Sequence, residues 1–442
     1  MPRLPATRAA PGRVSPARAC ALRVIRRVFE QGAYADRALT AEAADLGARD
    51  RALAMALSYG TVQRRATLDY VAAQLVKRPL ERLDPPLLAT LRLGLFELLY
   101  LGGTAEYAAV NETVELAKQA SPHGAGLVNA VLRRAARDGQ GMLERLDDAT
   151  AESAALLHSV PGWLASKWWE ELGAVQTRAL LRVVNDPAES ALRVNRLVAT
   201  VKEVQGSLPV PSRRAKVGGG VGGYQIPEGL VLDGPFDVQG SELWRAGAVQ
   251  PQSRASMLVS RIVNPEPGQR VLDLCSAPGG KTTHLAALMG GSGEVVAVER
   301  HPGRAAALER TAERLRATSV RVEVGDAGDV RSDGPFDRVL VDPPCSGLGT
   351  LQSRPDLRWR ARPEAIGELA VLQTRILAAG AQVLAPGGTL VYSVCTISRE
   401  EGEGVLERFL AEHGDFGAEE VLQLLPDRDR TDGFFIARLV RK

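Results

Sequence analysis

Residues 270–289 read RVLDLCSAPGGKTTHLAALM. A short apolar run ends in a proline- and glycine-bearing turn, and a stretch of helical period begins at Lys281. A buried strand that enters a helix through a glycine turn is the opening unit of an open, mostly parallel sheet. The same alternation continues downstream. EVVAVE (294–299), VRVEVGDA (320–327), DRVLVD (337–342) and GTLVYSVC (388–395) read as strands, and GRAAALERTAERLRA (303–317) and EAIGELAVLQTRILAAGAQVL (364–384) as helices. The closing GFFIARLVR (433–441) is expected as the antiparallel edge of the sheet. Residues 241–442 are therefore expected to form an α/β, Rossmann-like domain with ligands at the carboxyl ends of the strands.

The 442 residues exceed one ordinary core. Residues 18–140 place apolar residues three and four apart, as in RALAMALSYGTVQRRATLDYVAAQL and PPLLATLRLGLFELLYLGG, which predicts an all-α domain over 1–141. Residues 142–240 read as a linking α+β region with RNA contacts, in which Trp163, Trp168 and Trp169 are taken as core and RRAKVGGGVGGYQIP (213–227) as a basic, glycine-rich loop. The net charge is +3, yet residues 1–140 carry 20 Lys and Arg against 13 Asp and Glu. Arg3, Arg8, Arg13, Arg18, Arg23, Arg26 and Arg27 all precede the first acid, Glu30, so the surplus sits in the leader and first helix, as a solvated tail or a phosphate-binding arm. No apolar run approaches the roughly 18 residues of a membrane span. Cys20, Cys275, Cys345 and Cys395 show neither a C-x-x-C spacing nor nearby histidine pairs, and the histidines (123, 158, 284, 301 and 413) are scattered. A cytoplasmic, metal-free and monomeric protein is expected.

Three ligands compete for the turn after the first strand. A dinucleotide-binding G-x-G-x-x-G is absent. Gly280-Lys281-Thr282 matches the end of a P-loop, but the first glycine of that motif would fall on Cys275, and Pro278 stiffens the loop; a P-loop-like nucleotidase is the alternative reading. An S-adenosylmethionine (SAM) site fits the series of acids at four successive strand ends, Asp273, Glu299, Asp326 and Asp342, of which Glu299 would meet ribose hydroxyls and Asp326 the adenine amino group. A thiolate that adds to carbon 6 of cytosine makes carbon 5 nucleophilic enough to take a methyl group. Cys345, in VLVDPPCSGLGT (339–350), and Cys395, in VYSVCT (391–396), both stand at strand ends, with Asp342 beside the former, and residue chemistry leaves either one as the nucleophile.

DLCSAPGGKTTH (273–284), VDPPCSGLGT (341–350) and YSVCT (392–396) together resemble the RNA cytosine-C5 methyltransferases of the Sun/Nop2/NSUN superfamily. VNETVELAK (110–118) and LVNAVLRR (127–134) resemble the NusB-type helical domain fused to such enzymes in a bacterial 16S rRNA methyltransferase subfamily. The resemblance covers nearly the whole chain. It implies Cys395 as nucleophile, Cys345 as the residue that assists release, and Asp342 as the base-orienting acid. It also implies a SAM site built from Cys275, Ser276, Ala277, Pro278, Gly279, Gly280, Lys281, Glu299, Asp326 and Asp342, with Lys281 near the target base. The implied partner is 16S rRNA or a small-subunit precursor; a non-catalytic, NusB-like RNA-binding protein is the further alternative. The chain departs from the family pattern at Val394, where threonine is frequent, at VQPQSRAS (249–256), which lacks an aspartate, and in the glycine-rich stretch 217–223. In QSRPDLRWRARPE (352–364), Arg354, Arg358, Arg360 and Arg362 around Trp359 suggest phosphate contact and base stacking.

Overall fold

The computed structural model describes residues 14–102, 105–218, 223–330 and 334–442; Arg3, Arg8 and Arg13 of the leader and the glycines 219, 220 and 222 lie outside them. The chain forms two units, Met1–Asp186 with Leu351–Arg360, and Pro187–Thr350 with Ala361–Lys442. The region 142–240 is divided between the two.

The first unit is helical among its described residues: Pro16–Gln31, Ala35–Glu42, Ala48–Gln63, Arg65–Leu75, Pro85–Leu99, Glu106–Ala120, Ala125–Leu143, Ala151–His158 and Gly162–Val183. Leu57, Leu68, Leu91, Leu95, Val128 and Leu132 lie in its core. A Cβ at Gly60 would overlap the Phe96 ring, so this helix contact requires glycine. Trp168 is buried, whereas Trp163 and Trp169 are half-buried, the latter under the Arg178 guanidinium at 5.1 Å. The basic surplus of the first helix is neutralised locally. Buried Arg18 donates from Nε to Glu97 at 2.9 Å, Arg23 and Arg27 pair with Glu42 at 2.7 and 3.2 Å, and Arg26 pairs with Glu30 at 2.9 Å.

The segment Leu351–Arg360 corrects an expectation. Arg358 is fully buried and donates to Asn185 Oδ1 at 2.7 Å and to the carbonyls of Ser159, Val184 and Leu351 at 3.1–3.2 Å. Burial lowers its guanidinium to about 9. Trp359 donates its indole N–H to Val62 O at 2.7 Å, and Asp356 accepts from Ala35 N at 3.2 Å. Arg358 and Trp359 are thus structural, because a desolvated fork of donors matched to carbonyls is satisfied only inside; Arg354, Arg360 and Arg362 remain exposed.

The second unit holds two sheets. Strands β1 (Ala191–Val194), β2 (Ser212–Val217), β3 (Tyr224–Leu232) and β4 (Val249–Pro251) pair antiparallel in the order β2-β3-β1-β4. Arg213–Lys216 and Tyr224–Ile226, expected as loop, are ladder-paired strand, and Pro227 continues β3 at a register shift. The larger sheet comprises β5 (Arg270–Leu274), β6 (Glu294–Glu299), β7 (Val320–Val324), β8 (Phe336–Val341), β9 (Leu384–Val394), β10 (Phe416–Leu424) and β11 (Phe434–Arg441) in the order β10-β11-β9-β8-β5-β6-β7. Pairings from β7 through β9 are parallel, and those of β11 with β9 and β10 are antiparallel. The closing segment is antiparallel as expected, but β10 rather than β11 forms the edge, and residues 416–424 were not foreseen as strand. The order reverses at β5, which places a crevice at the carboxyl ends of β5, β6 and β8.

The small sheet grips the helix Gly280–Leu288 that follows the glycine turn. Arg193 donates to Gly280 O at 2.8 Å and Thr283 Oγ1 at 2.9 Å, and buried His284 sets Nε2 2.6 Å from Glu228 Oε1. Burial pulls His284 down to about 4, so the ring is neutral and donates. Burial pushes Glu228 upward, but hydrogen bonds from His284 and Arg261 outweigh it and hold the carboxyl below its usual range.

Two outcomes are expected. A histidine whose pKa is depressed by folding contributes stability that is full above its unfolded value and is lost as pH falls toward the folded one. Acidification from pH 7 to 5 should therefore cost roughly 1–2 kcal/mol at His284, and in chemical denaturation His284→Gln, which keeps a donor for Glu228, should show a smaller acid loss than the wild type. Arg358→Ala should lower the stability measured in the same way by about 2–4 kcal/mol by orphaning buried carbonyls, whereas Arg354→Ala, at an exposed position, should change it by less than about 0.5 kcal/mol.

Candidate active site

The turn after β5 is built for close approach. Cys275 takes a positive φ of 66°, and Gly279 takes 99°, where a Cβ would strike Leu308. Ser276 anchors the turn to β6, its N and Oγ both donating to Val298 O at 3.0 Å. Arg304 donates to Ala277 O at 2.9 Å and stands 3.4 Å from Glu299, whose Oε1 accepts from His301 N at 2.9 Å. Asp273 is buried and accepts from Thr282 Oγ1 at 2.6 Å, while its Oδ1 has no partner among the described residues. Burial lifts this carboxyl to about 7. Burial, followed by the charges of Asp342, Asp273 and Glu299, pushes the Cys275 thiol up to about 12, which removes it from nucleophilic chemistry.

Parallel pairing of β8 with β9 sets Val341 opposite Tyr392, so Asp342, just past the end of β8, stands beside Ser393 of β9. Asp342 Oδ1 accepts from Ser393 Oγ at 2.9 Å, and its Oδ2 pairs with Lys281 Nζ at 2.7 Å. Burial opposes the Lys281 charge, but Asp342, then Cys395 and Asp273, hold the ammonium above its usual range. Cys345 and Cys395 face each other with Sγ atoms 3.2 Å apart. The contact with Cys395, then burial, then the Glu401 and Asp342 charges push the Cys345 thiol well up. Cys345 faces the Glu401 and Asp342 carboxylates, whereas the Lys281 ammonium interacts with Cys395, so the two sulfurs stand in unlike electrostatic surroundings.

The structure thus brings together the 275–281 turn, Asp273, Glu299, Asp342, Cys345 and Cys395. Asp326 stands two residues beyond Val324, the register partner of Glu299, and is held by Gly328 N at 2.8 Å and Arg375 at 3.2 Å; these contacts and Arg300 keep it below the usual carboxylate range. Sequence reasoning missed Ser393, Arg193 and Glu401. Glu401 is fully buried and accepts from Ser346 N at 2.8 Å, Thr396 Oγ1 at 3.0 Å and Gln373 Nε2 at 3.1 Å. Its place six residues after Cys395 was the available signal, hidden because SREEGEG reads as a solvated charge run.

Family models match over nearly the whole chain: the NusB family over residues 15–137, an RsmF/B-like ferredoxin-like domain over 160–239, and 16S rRNA methyltransferase RsmB/F over 260–440. A probable ribosomal RNA small subunit methyltransferase B of Synechocystis sp. is 35% identical, the alignment covering 96% of this chain and 99% of that relative. The Bacillus subtilis protein of the same name is 33% identical, with 90% and 92% covered. The crystal structure of PH0851 superposes with a TM-score of 0.79 at 28% identity over 97% of this chain and 99% of that one. With an all-α NusB domain ahead of a Rossmann-like sheet and identity at this level along its length, the chain belongs to the ribosomal RNA small subunit methyltransferase B family.

Proposed function

We propose that the crevice at β5, β6 and β8 binds SAM and that the enzyme methylates carbon 5 of a cytosine in 16S rRNA through a covalent cysteine adduct. The residues fit the ligand: the turn 275–281 carries no side chain at Gly279 and Gly280, Asp273 presents a buried oxygen with no partner among the described residues, and Glu299 and Asp326 stand at the next two strand ends. SAM supplies an electrophilic methyl group on a sulfonium. The observation that carries the covalent reading is the thiol pair at 3.2 Å beside Asp342, with cation and carboxylates on opposite members.

Cys395 Sγ, as thiolate, forms a bond to C6 of the base. Asp342, with Lys281 on its Oδ2 at 2.7 Å, is assigned to the N3 edge, where the displaced electron pair takes a proton from the Lys281 ammonium relayed by Asp342; N3 returns that proton along the same path when the ring is restored. Carbon 5 is then enamine-like and takes the methyl group. Loss of the C5 proton to a base restores the C5–C6 double bond as the C6–S bond breaks, and the departing Cys395 thiolate takes the proton of the Cys345 thiol. Asp326 is assigned to the adenine amino group and Glu299 to the ribose hydroxyls.

With labelled SAM and small-subunit rRNA, Cys395→Ala should abolish transfer, while Cys345→Ala should accumulate a protein–RNA adduct visible on a denaturing gel. An adduct trapped by Cys395→Ala and lost in Cys345→Ala would reverse the roles. Asp342→Asn should retain SAM binding but slow transfer by roughly 100-fold or more, since it loses both the acid and the charge that fixes Lys281.

A further inference from the structure

The geometry points to Glu401 as a positioning residue that fixes the spacing of the two thiols and so couples attack to release; this rests on the covalent reading above. Glu401 is fully buried, and among the described residues no cation pairs with it. A lone desolvated carboxylate costs several kcal/mol unless hydrogen bonds replace its water. Neutral donors do so here. Oε1 accepts from Ser346 N at 2.8 Å and Gln373 Nε2 at 3.1 Å, and Oε2 accepts from Thr396 Oγ1 at 3.0 Å and from Ser346 Oγ.

The donors' places in the chain give the arrangement its meaning. Ser346 follows Cys345 directly, and Thr396 follows Cys395 directly. One carboxylate therefore ties the loop after β8 to the loop after β9 immediately beside each sulfur. The Ser346 and Thr396 hydroxyls also meet each other at 2.9 Å, parallel to the thiol contact at 3.2 Å. Gln373 extends the tie, donating to Pro344 O at 2.9 Å, and Tyr392 donates its hydroxyl to the Glu401 main-chain oxygen. The site offers four donors to the side chain, which an acceptor-only carboxylate takes up in full; an amide would fit only with both hydroxyls turned round to accept from its NH2, which gives up their donation to Oε2.

During turnover Cys395 must leave Cys345 to bond C6, and Cys345 must still be within reach when the adduct breaks down. The sulfur contact cannot hold the loops together in the adduct, because one of its members is then bonded to the base. The Glu401 clamp does not involve either sulfur and persists through that stage.

The test uses the full-length enzyme, labelled SAM and small-subunit rRNA. Glu401→Gln should keep SAM affinity within about twofold and a near-wild-type melting temperature. Its turnover should fall roughly 10- to 100-fold, the scale of a misplaced reacting group, with adduct accumulating on a denaturing gel as it does in Cys345→Ala. Ser346→Ala, which removes the hydroxyl bond from the Cys345 loop while the main-chain N–H still reaches Glu401, should accumulate adduct to a smaller extent; Thr396→Val, which removes the Thr396 bond to Glu401 beside Cys395, should slow adduct formation when introduced into Cys345→Ala. Wild-type turnover in Glu401→Gln and Ser346→Ala overturns the inference, as does a slowing of formation and release together with lost SAM affinity. If Cys345→Ala itself traps no adduct, the covalent reading fails, and with it the basis for the clamp. Should Glu401→Gln not fold, the Ser346 and Thr396 variants decide the matter alone.

Discussion

Parallel pairing of β8 with β9 is the constraint on which the meeting of the two thiols depends. Adjacent parallel strands end on the same edge of a sheet, so residues fifty positions apart in sequence emerge there as neighbours. Asp342 and Ser393 meet because Val341 and Tyr392 share a register, and the cysteines meet because Cys395 directly follows the end of β9 and Cys345 lies in the loop just after β8. A slip of the β8–β9 pairing would separate all four. The apolar runs VLV and LVYSV, buried throughout, hold that register.

The alternation of strand and helix was legible because a parallel sheet buried on both faces writes near-continuous apolar runs into the chain. The glycine turn was legible for the same kind of reason: its backbone demands restrict residue choice. Strand β10 was not, since FGAEEVLQL lies at an edge with charged residues on its open side, and nothing in its composition separates it from a surface helix. Arg358 and Trp359 misled in the opposite direction. Four arginines around a tryptophan read as a nucleic-acid surface, and only tertiary structure shows that two of these five side chains point inward. Sequence chemistry could place both thiols at one site but could not rank them, because Lys281 and Glu401 are distant in the chain from Cys395 and Cys345 respectively, the thiols on which their charges act.

Buried polar side chains rather than apolar contacts make the fine adjustments within the second unit. Arg193, Glu228 and His284 fix the start of the helix behind the glycine turn, and Arg254 with Glu189, at 2.5 Å, closes the small sheet onto the helix Arg254–Val263. Such networks are directional and fail when one member is lost, so they specify one arrangement where oily packing would tolerate several. The small sheet therefore has a part in shaping the glycine turn.

Segment Leu351–Arg360 has a consequence for modularity. It lies between the two cysteine-bearing strands in sequence yet is counted in the helical unit, where Arg358 meets a carbonyl 199 residues upstream. The helical unit is thus not finished when its own contiguous stretch leaves the ribosome; its last buried cation arrives only after β8 has been made. Contacts of such separation slow folding and bind the fates of the two units during synthesis. Shuffling either unit into another protein as a continuous cassette would leave this strand of dependence cut, which favours inheritance of the whole chain as one piece.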